Sequence, residues 1–133
     1  MALSGYQELT VWKQAYEMTL SIYGVTREFP KDETYGLVSQ MRRASTSIIA
    51  NIAEGYGKKH LKEYIQFISI SIGSCNELEV YLCLSKDLGY LKRSDYEKLR
   101  TIHESVSKML QSLRRSLENK DPAETQRKPG VSG

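Results

Sequence analysis

The chain has 133 residues, of which 40% are hydrophobic and 26% are charged, and it contains only 3 prolines and 9 glycines. This composition is typical of one globular domain, and it excludes collagen-like, wholly disordered and disulfide-scaffold proteins. The 19 basic and 16 acidic residues give a formal net charge of +3, which is too small to indicate nucleic-acid binding by itself.

Four segments carry the spacing of three or four residues between apolar positions that predicts amphipathic helices. The first runs from about Glu8 to Glu28 and is ended by Phe29-Pro30, because a residue before proline avoids the helical region. Its predicted buried face is Leu9, Trp12, Ala15, Tyr16, Thr19, Ile22, Tyr23 and Thr26.

The second predicted helix begins at Asp32-Glu33-Thr34, where acidic side chains suit a helix N-terminus, and ends at Gly55 and Gly57. The third runs from about His60 to Leu88, and Gly89 ends it. The predicted apolar stripe of the second helix is Leu37, Met41, Ala44, Ile48 and Ile52. In the third helix, a heptad-like spacing on one face is kept by Ile65, Ile68, Ile72, Cys75, Glu79 and Leu82.

A capping box, with Ser94 as N-cap and Glu97 three residues later, predicts the start of the fourth helix. Residues 119–133 are polar and contain proline and glycine, so we expect a disordered C-terminal tail. Residues 1–118 are expected to form one domain. Four helices with short connections predict an all-α fold, an antiparallel up-down-up-down four-helix bundle.

Small residues face each other if the second and third helices form an antiparallel hairpin. The expected register pairs Ala44 with Gly73, Ser47 with Ser69, and Arg43 with Glu77. We therefore predict an unusually close crossing near Ala44 and Gly73, which Gly73→Leu would disrupt together with the bundle or its assembly.

A stripe of polar side chains also follows the second helix and meets the third. It is open to two interpretations, a solvated face or a hydrogen-bond network that fixes the register, with a catalytic site a distant third. Its members are Gln40, Arg43, Ser47, Asn51, Glu54 and Glu77.

Catalytic, metal and membrane functions find little support. Cys75 and Cys83 lie about 12 Å apart along one helix, too far for a disulfide, and they resemble core residues of a reducing compartment. With only two histidines, His60 and His103, the sequence has no zinc or di-iron motif, and no nucleotide-binding loop is present. No signal peptide or long apolar run is evident. We expect a cytoplasmic protein that is not an enzyme, contacts no membrane and has no cofactor, metal or catalytic residues.

Basic residues cluster in two regions, each with a net charge of +4: from Arg42 to Lys62, and from Lys92 to Arg115. Such clusters favour phosphate binding, although single surface lysines more often only keep a protein soluble. The candidate nucleic-acid-binding residues are Arg42, Lys58, Lys59, Lys62, Lys92, Arg93, Arg114 and Arg115. Among the aromatic residues, Trp12, Tyr16 and Tyr23 are expected in the core or a subunit interface, and Tyr56 is the best base-stacking candidate.

Several short motifs occur in a characteristic order. They are Leu9-Thr-Val-Trp12, Phe29-Pro30, Gln40-Met-Arg42-Arg43-Ala44, Asn51-Ile-Ala-Glu54-Gly55 and Gly73-Ser74 followed by Glu77-Leu78-Glu79. Together they resemble the bacterial four-helix bundle family of proteins encoded in intervening sequences of large-subunit ribosomal RNA genes. One departure is His60, where family members often carry a serine N-cap.

The resemblance implies a homopentameric ring without established enzymatic activity. The chain is also similar to the accessory variability proteins of diversity-generating retroelements, pentamers that bind nucleic acid and work with a reverse transcriptase. We therefore expect a homo-oligomeric accessory protein that binds RNA or DNA. The alternative is a protein–protein scaffold for a partner such as a reverse transcriptase.

Overall fold

A computed structural model describes residues 5–120, and within this range the chain folds into helices and contains no strand. Four long helices follow one another: α1 (Thr10–Thr26), α2 (Leu37–Tyr56), α3 (Leu61–Asp87) and α4 (Arg93–Lys120). Short 3-10 turns at Gly5–Glu8 and Lys31–Glu33 precede α1 and α2. The predicted all-α fold is confirmed.

The four helices form a closed cycle of neighbours. Each packs against the next in sequence and α1 also packs against α4, whereas the backbones of the diagonal pairs stay more than 8 Å apart, Cα to Cα, within residues 5–120. This arrangement is an antiparallel four-helix bundle, as predicted. The fully buried centre includes Met18, Ile22, Met41, Ile48, Ile52, Ile68, Leu78, Leu82, Val106 and Leu110.

The buried face of α1 is rotated from the predicted one. Val11 and Met18 are buried, whereas Tyr16 is exposed and Trp12 is half-buried. The indole Nε1 of Trp12 donates a hydrogen bond to the Ile49 carbonyl at 3.2 Å, and Tyr16 stacks on the outside of the indole at 5.0 Å. Both aromatic residues lie at the seam with α2 and not in the core. Since their apolar character indicated burial, the predicted buried face of α1 was displaced towards them.

Helix α2 begins at Leu37, later than the predicted start at Asp32. The Glu33 carboxylate caps it from the preceding turn, since Oε1 accepts a hydrogen bond from the Leu37 N–H at 3.1 Å. A Cβ on Gly36 would lie 2.8 Å from the same oxygen, so glycine leaves room for this cap. The other carboxylate oxygen accepts from the Tyr90 hydroxyl at 3.1 Å, which ties the start of α2 to the α3–α4 connection.

Gly89 ends α3, as predicted, with a positive φ of 81°. The Tyr90 N–H donates to the Ser85 carbonyl at 2.9 Å and the Gly89 N–H to the Lys86 carbonyl at 3.0 Å, the two hydrogen bonds of a Schellman motif.

The predicted bounds of α4 are wrong at both ends. The Lys92 carbonyl already accepts from the Tyr96 N–H at 2.9 Å, so Ser94 lies inside the first turn and is not the N-cap. At the other end, α4 continues through Asn119 to Lys120, a cation that suits a helix C-terminus. The rest of the predicted tail, 121–133, lies outside the described residues.

The predicted close crossing at Ala44 and Gly73 is wrong. A Cβ on Gly73 would meet nothing within 4 Å outside its own helix, because Gly73 faces away from α2. The close approach is at Gly55, where a Cβ would lie 2.8 Å from the Phe67 Cβ and 3.3 Å from the Tyr64 carbonyl oxygen.

The hairpin register explains this difference. Ser47 bonds to Ser74 at 2.8 Å and not to Ser69, while Arg43 does pair with Glu77 at 2.9 Å. The numbers of two facing residues therefore add up to 120 or 121. The predicted pairing of Ser47 with Ser69 has a smaller sum, so α3 is shifted along α2 relative to that prediction.

Helix α3 is long and apolar enough to cross a membrane by length and composition alone. This is weak evidence, because helices within water-soluble bundles meet the same criterion. Only 33% of its most apolar window is buried inside the bundle. Part of its apolar character therefore lies on an outer face.

Candidate nucleic-acid interface

The α2–α3 turn places three candidate lysines at one end of the bundle. Lys59 and Lys62 are exposed and have no hydrogen-bond or ion-pair partner among residues 5–120. Lys58 is less free, because its Nζ lies 3.3 Å from the Glu54 carboxylate and 5.3 Å from the centroid of the Phe67 ring. Lys59 and Lys62 are thus the phosphate-binding candidates here.

The C-terminal part of α4 brings two arginines towards the same end, because α3 and α4 are antiparallel. Arg114 is half-buried and donates to the Ser69 hydroxyl at 3.4 Å and to Gln111 at 3.3 Å. Arg115 is exposed, with no such partner in the described part of the chain. Arg115 can therefore contact a phosphate without breaking a contact of the bundle.

The α3–α4 connection carries Lys92 and Arg93 at the opposite end. Both side chains are exposed, and their charged groups have no hydrogen-bond or ion-pair partner in the described range. Arg93 lines a cavity of about 290 Å³ together with Lys86, Leu91 and Glu97. Lys86 and Arg93 therefore place two cations at this cavity, while the Glu97 carboxylate reduces its net positive charge.

Arg42 is held inside the bundle surface and is the candidate with the least freedom. Its Nε donates to the Thr26 hydroxyl at 3.0 Å, and its guanidinium carbon lies 4.5 Å from the centroid of the Tyr23 ring. These contacts connect α2 to α1. The sequence predicted Arg42 as a nucleic-acid-binding candidate but could not reveal its partners on α1.

The polar stripe of α2 forms a hydrogen-bond network along the α2–α3 seam. Arg43 bonds to both Gln40 and Glu77, and the Tyr81 hydroxyl donates to Glu77 at 3.0 Å. Further along, Asn51 donates to Ser47 at 3.1 Å. Since Arg43 and Glu77 remain partly exposed, the network combines features of both interpretations.

Glu54 and Tyr56 mark the end of that seam. Glu54 pairs with Lys58 one turn later. Tyr56 packs edge-on to Tyr64, with ring centroids 6.1 Å apart, and remains half-exposed. Burial, assisted by Tyr56, raises the pKa of the Tyr64 hydroxyl, so this hydroxyl loses its proton only at a more alkaline pH than a free tyrosine.

An outward-facing apolar row on α3 was not predicted. Ile70, Val80, Leu84 and Leu88 are spaced so that they share one side of the helix, and all are exposed, Val80 to 62%. We call these four residues the α3 ridge. The hydropathy of α3 is the signal that could have revealed it, because the helical period of apolar residues indicates only the buried face.

Between α3 and α4 lies a cavity of about 410 Å³. His103 lies at its inner wall, and Nε2 is 2.7 Å from the Cys75 carbonyl oxygen and 3.3 Å from the Cys75 Sγ. Burial, reinforced by the Glu79 carboxylate, raises the pKa of the Cys75 thiol to about 12. Cys75 is therefore a thiol at neutral pH, and not a thiolate nucleophile.

Metal-binding geometry is missing from the described residues, where no group of three or more histidine, cysteine or acidic side chains could hold an ion. Both cysteines are free.

The family model of the 23S rRNA-intervening sequence protein matches residues 7–112. The chain belongs to this family. The match covers all of α1 to α3 and most of α4, including the seam and the α2–α3 turn.

A solved structure supports the fold of this family member. It is a protein of unknown function from the S23 ribosomal protein family of Bacteroides thetaiotaomicron VPI-5482, to which the chain is similar with a TM-score of 0.74 and 24% sequence identity. The similarity covers 79% of this chain and 98% of the other. No curated protein matches the chain.

Proposed function

We propose that this protein is a non-enzymatic, homo-oligomeric bundle that binds RNA or DNA through basic side chains at its two ends. The observation that carries the proposal is that five candidate side chains are exposed and their charged groups make no hydrogen bond or ion pair within residues 5–120. They are Lys59, Lys62, Lys92, Arg93 and Arg115. Phosphates reward such cations because binding releases condensed counterions.

Self-association is the second part of the proposal, and the α3 ridge supports it. Exposed apolar side chains that share one helix face are typical of an interaction surface. A second copy of the chain that covers Val80 and Leu84 would remove them from water. A homopentamer, as the family resemblance implies, would repeat each group of free cations five times and strengthen its attraction for a polyanion.

The absence of enzymatic activity is proposed from the chemistry of the polar groups. Cys75 is protonated, and His103 Nε2 is engaged with the Cys75 carbonyl and is not positioned by an acidic side chain. Cys75 is therefore not an activated thiol of the kind used in covalent catalysis.

The test is a filter-binding titration of the full chain with single-stranded RNA and duplex DNA at several salt concentrations. We expect affinity to fall steeply with salt, because each phosphate contact contributes about −0.7 (single strand) to −0.9 (duplex) to the logarithmic slope. The double variant K59Q/K62Q should weaken binding and flatten this slope.

Lys98 provides a matched control, because it is an exposed lysine of α4 that lines a different cavity, against α1, and lies outside the two groups of free cations. Lys98→Gln removes the same charge but should affect salt-dependent binding less than the loss of either lysine at the α2–α3 turn. Binding that is absent at low ionic strength, or that does not respond to salt, would contradict the proposed function.

A protein scaffold is the second candidate, and an apolar groove between α1 and α2 favours it. Tyr6, Trp12, Ile49, Ala50 and Ala53 line this groove of about 270 Å³ together with Thr46. A polypeptide partner, such as a reverse transcriptase, could dock there. Pull-down from the native host after nuclease treatment distinguishes the two functions, since only a protein partner would remain bound.

A further inference from the structure

The α3–α4 cavity combines charges of both signs around one buried imidazole. Glu79 projects from α3, and the other lining residues all belong to α4: Arg100, His103, Glu104, Ser107 and Lys108. The volume of about 410 Å³ is sufficient for a ligand of moderate size.

The hydrogen bond of His103 fixes which of its ring nitrogens faces the cavity as an acceptor. A carbonyl oxygen only accepts, so the 2.7 Å contact with Cys75 requires the proton on Nε2. In the neutral ring Nδ1 is then an acceptor, and it has no hydrogen-bond partner within residues 5–120. Every fully buried side-chain nitrogen or oxygen among residues 5–120 has a hydrogen-bond partner. Since Nδ1 has none, it is not fully buried and reaches the cavity surface, although His103 as a whole is only 5% exposed.

Two further groups in the cavity are available to a ligand. Neither the Glu79 carboxylate nor the Arg100 guanidinium has an ion-pair or hydrogen-bond partner among the described side chains, whereas Glu104 and Lys108 are paired with each other. The cavity lining thus includes two acceptors, Nδ1 and the Glu79 carboxylate, together with the free cation of Arg100.

We propose that this cavity binds a single guanine nucleotide within a nucleic-acid strand. The Watson–Crick edge of guanine presents N1–H and N2–H side by side, a donor pair that one carboxylate accepts through both oxygens. Glu79 accepts this pair, His103 Nδ1 accepts the second N2 hydrogen, and Arg100 binds the phosphate. This assignment rests on the proposed nucleic-acid function and adds base selectivity to it.

The position of the cavity on α4 agrees with a bound strand. Arg93, Arg100, Lys108 and Arg115 recur at intervals of seven or eight residues, so they share one face of the helix. From Arg93 to Arg115 this face extends over roughly 33 Å. A strand lying along it would contact free cations at both ends of α4, with the cavity between them; Glu97 and Glu104 interrupt the row and reduce its net charge.

Calorimetric titration of the full chain at low salt tests the inference with GMP, IMP and UMP. IMP keeps N1–H but lacks the N2 amino group, whereas the single N3–H of UMP lies between two carbonyl oxygens that repel a carboxylate. We expect affinity to decrease from GMP to IMP to UMP, with the GMP preference over UMP roughly tenfold or more. Glu79→Gln should remove this preference, and Arg100→Gln should weaken binding of all three.

Lys98→Gln is the matched control, since Lys98 is an exposed cation of α4 that lines a different cavity, against α1. It should leave nucleotide binding unchanged. Equal affinities for the three nucleotides, no binding of any, or equal effects of the Arg100 and Lys98 variants would overturn the inference. If the same sample still binds RNA in a salt-dependent way, only the guanine site fails; if it binds neither, the proposed function fails too.

Discussion

Gly55 is the residue at which α2 passes closest to α3. A methyl group there would lie 2.8 Å from the Phe67 Cβ and 3.1 Å from the Tyr64 ring. We predict that Gly55→Ala lowers the free energy of unfolding by about 1–3 kcal/mol through overpacking, measured by urea denaturation. Gly24→Ala, where nothing lies within 4 Å of the new methyl group, should be neutral or stabilise by up to about 1 kcal/mol. Equal effects of the two would contradict this packing.

The Cys75 thiol makes stability depend on alkaline pH. Its pKa rises from 9.0 in the unfolded chain to about 12 in the bundle, chiefly through burial. Its contribution is fully present below pH 9 and is lost towards pH 12, because the unfolded state releases the proton first. The expected loss approaches about 1.4 kcal/mol per pH unit.

Cys75→Ala should lack this contribution. Urea denaturation at several pH values between 9 and 11 should then give a shallower decline in the free energy of unfolding for the variant than for the unsubstituted protein. Parallel declines would show that the thiol ionises equally well in both states.

At the scale of elements, the two glycines that end α2 and α3 have different roles. Gly89 has a φ of 81°, whereas Gly57 has a φ of −80°, which any residue adopts. We predict that Gly89→Ala costs about 1–2 kcal/mol and that Gly57→Ala stays within about 0.5 kcal/mol in thermal or urea unfolding. A similar cost for both would mean that backbone conformation does not determine how these helices end.

The helices themselves could be predicted from the sequence, but several details of their contacts could not. The buried positions of α2 have a clear helical period, and all five of the predicted core residues are buried. In α1, Trp12 and Tyr16 were expected in the core or a subunit interface; within the bundle they lie at the seam with α2 and not in the core. The cap supplied by Glu33 and the close approach at Gly55 depend on side-chain reach and on a register shift that spacing alone does not define.

The candidate site could be predicted only in part, for the same reason. Residue type and position indicated the free cations Lys59, Lys62 and Arg115. They did not reveal that Arg42 is held by Thr26 and Tyr23, because that contact joins two helices. The link between His103 and the Cys75 carbonyl spans 28 residues of sequence, so it became visible only in the folded chain.

For the molecule as a whole, the account requires that another copy of the chain covers the α3 ridge. Val80→Glu places a charge in that contact, whereas Ser39→Glu introduces the same charge at an exposed position near the start of α2. The α3 ridge variant should dissociate, because a buried unpaired carboxylate is strongly unfavourable. The Ser39 variant should assemble normally.

Static light scattering of the full chain, with both variants measured in parallel, shows whether the α3 ridge mediates assembly. Assembly through the ridge gives a mass several times that of the 15.2 kDa chain for the unsubstituted protein and for Ser39→Glu, and about one chain mass for Val80→Glu. A mass of 15.2 kDa for the unsubstituted protein at micromolar concentration would contradict it.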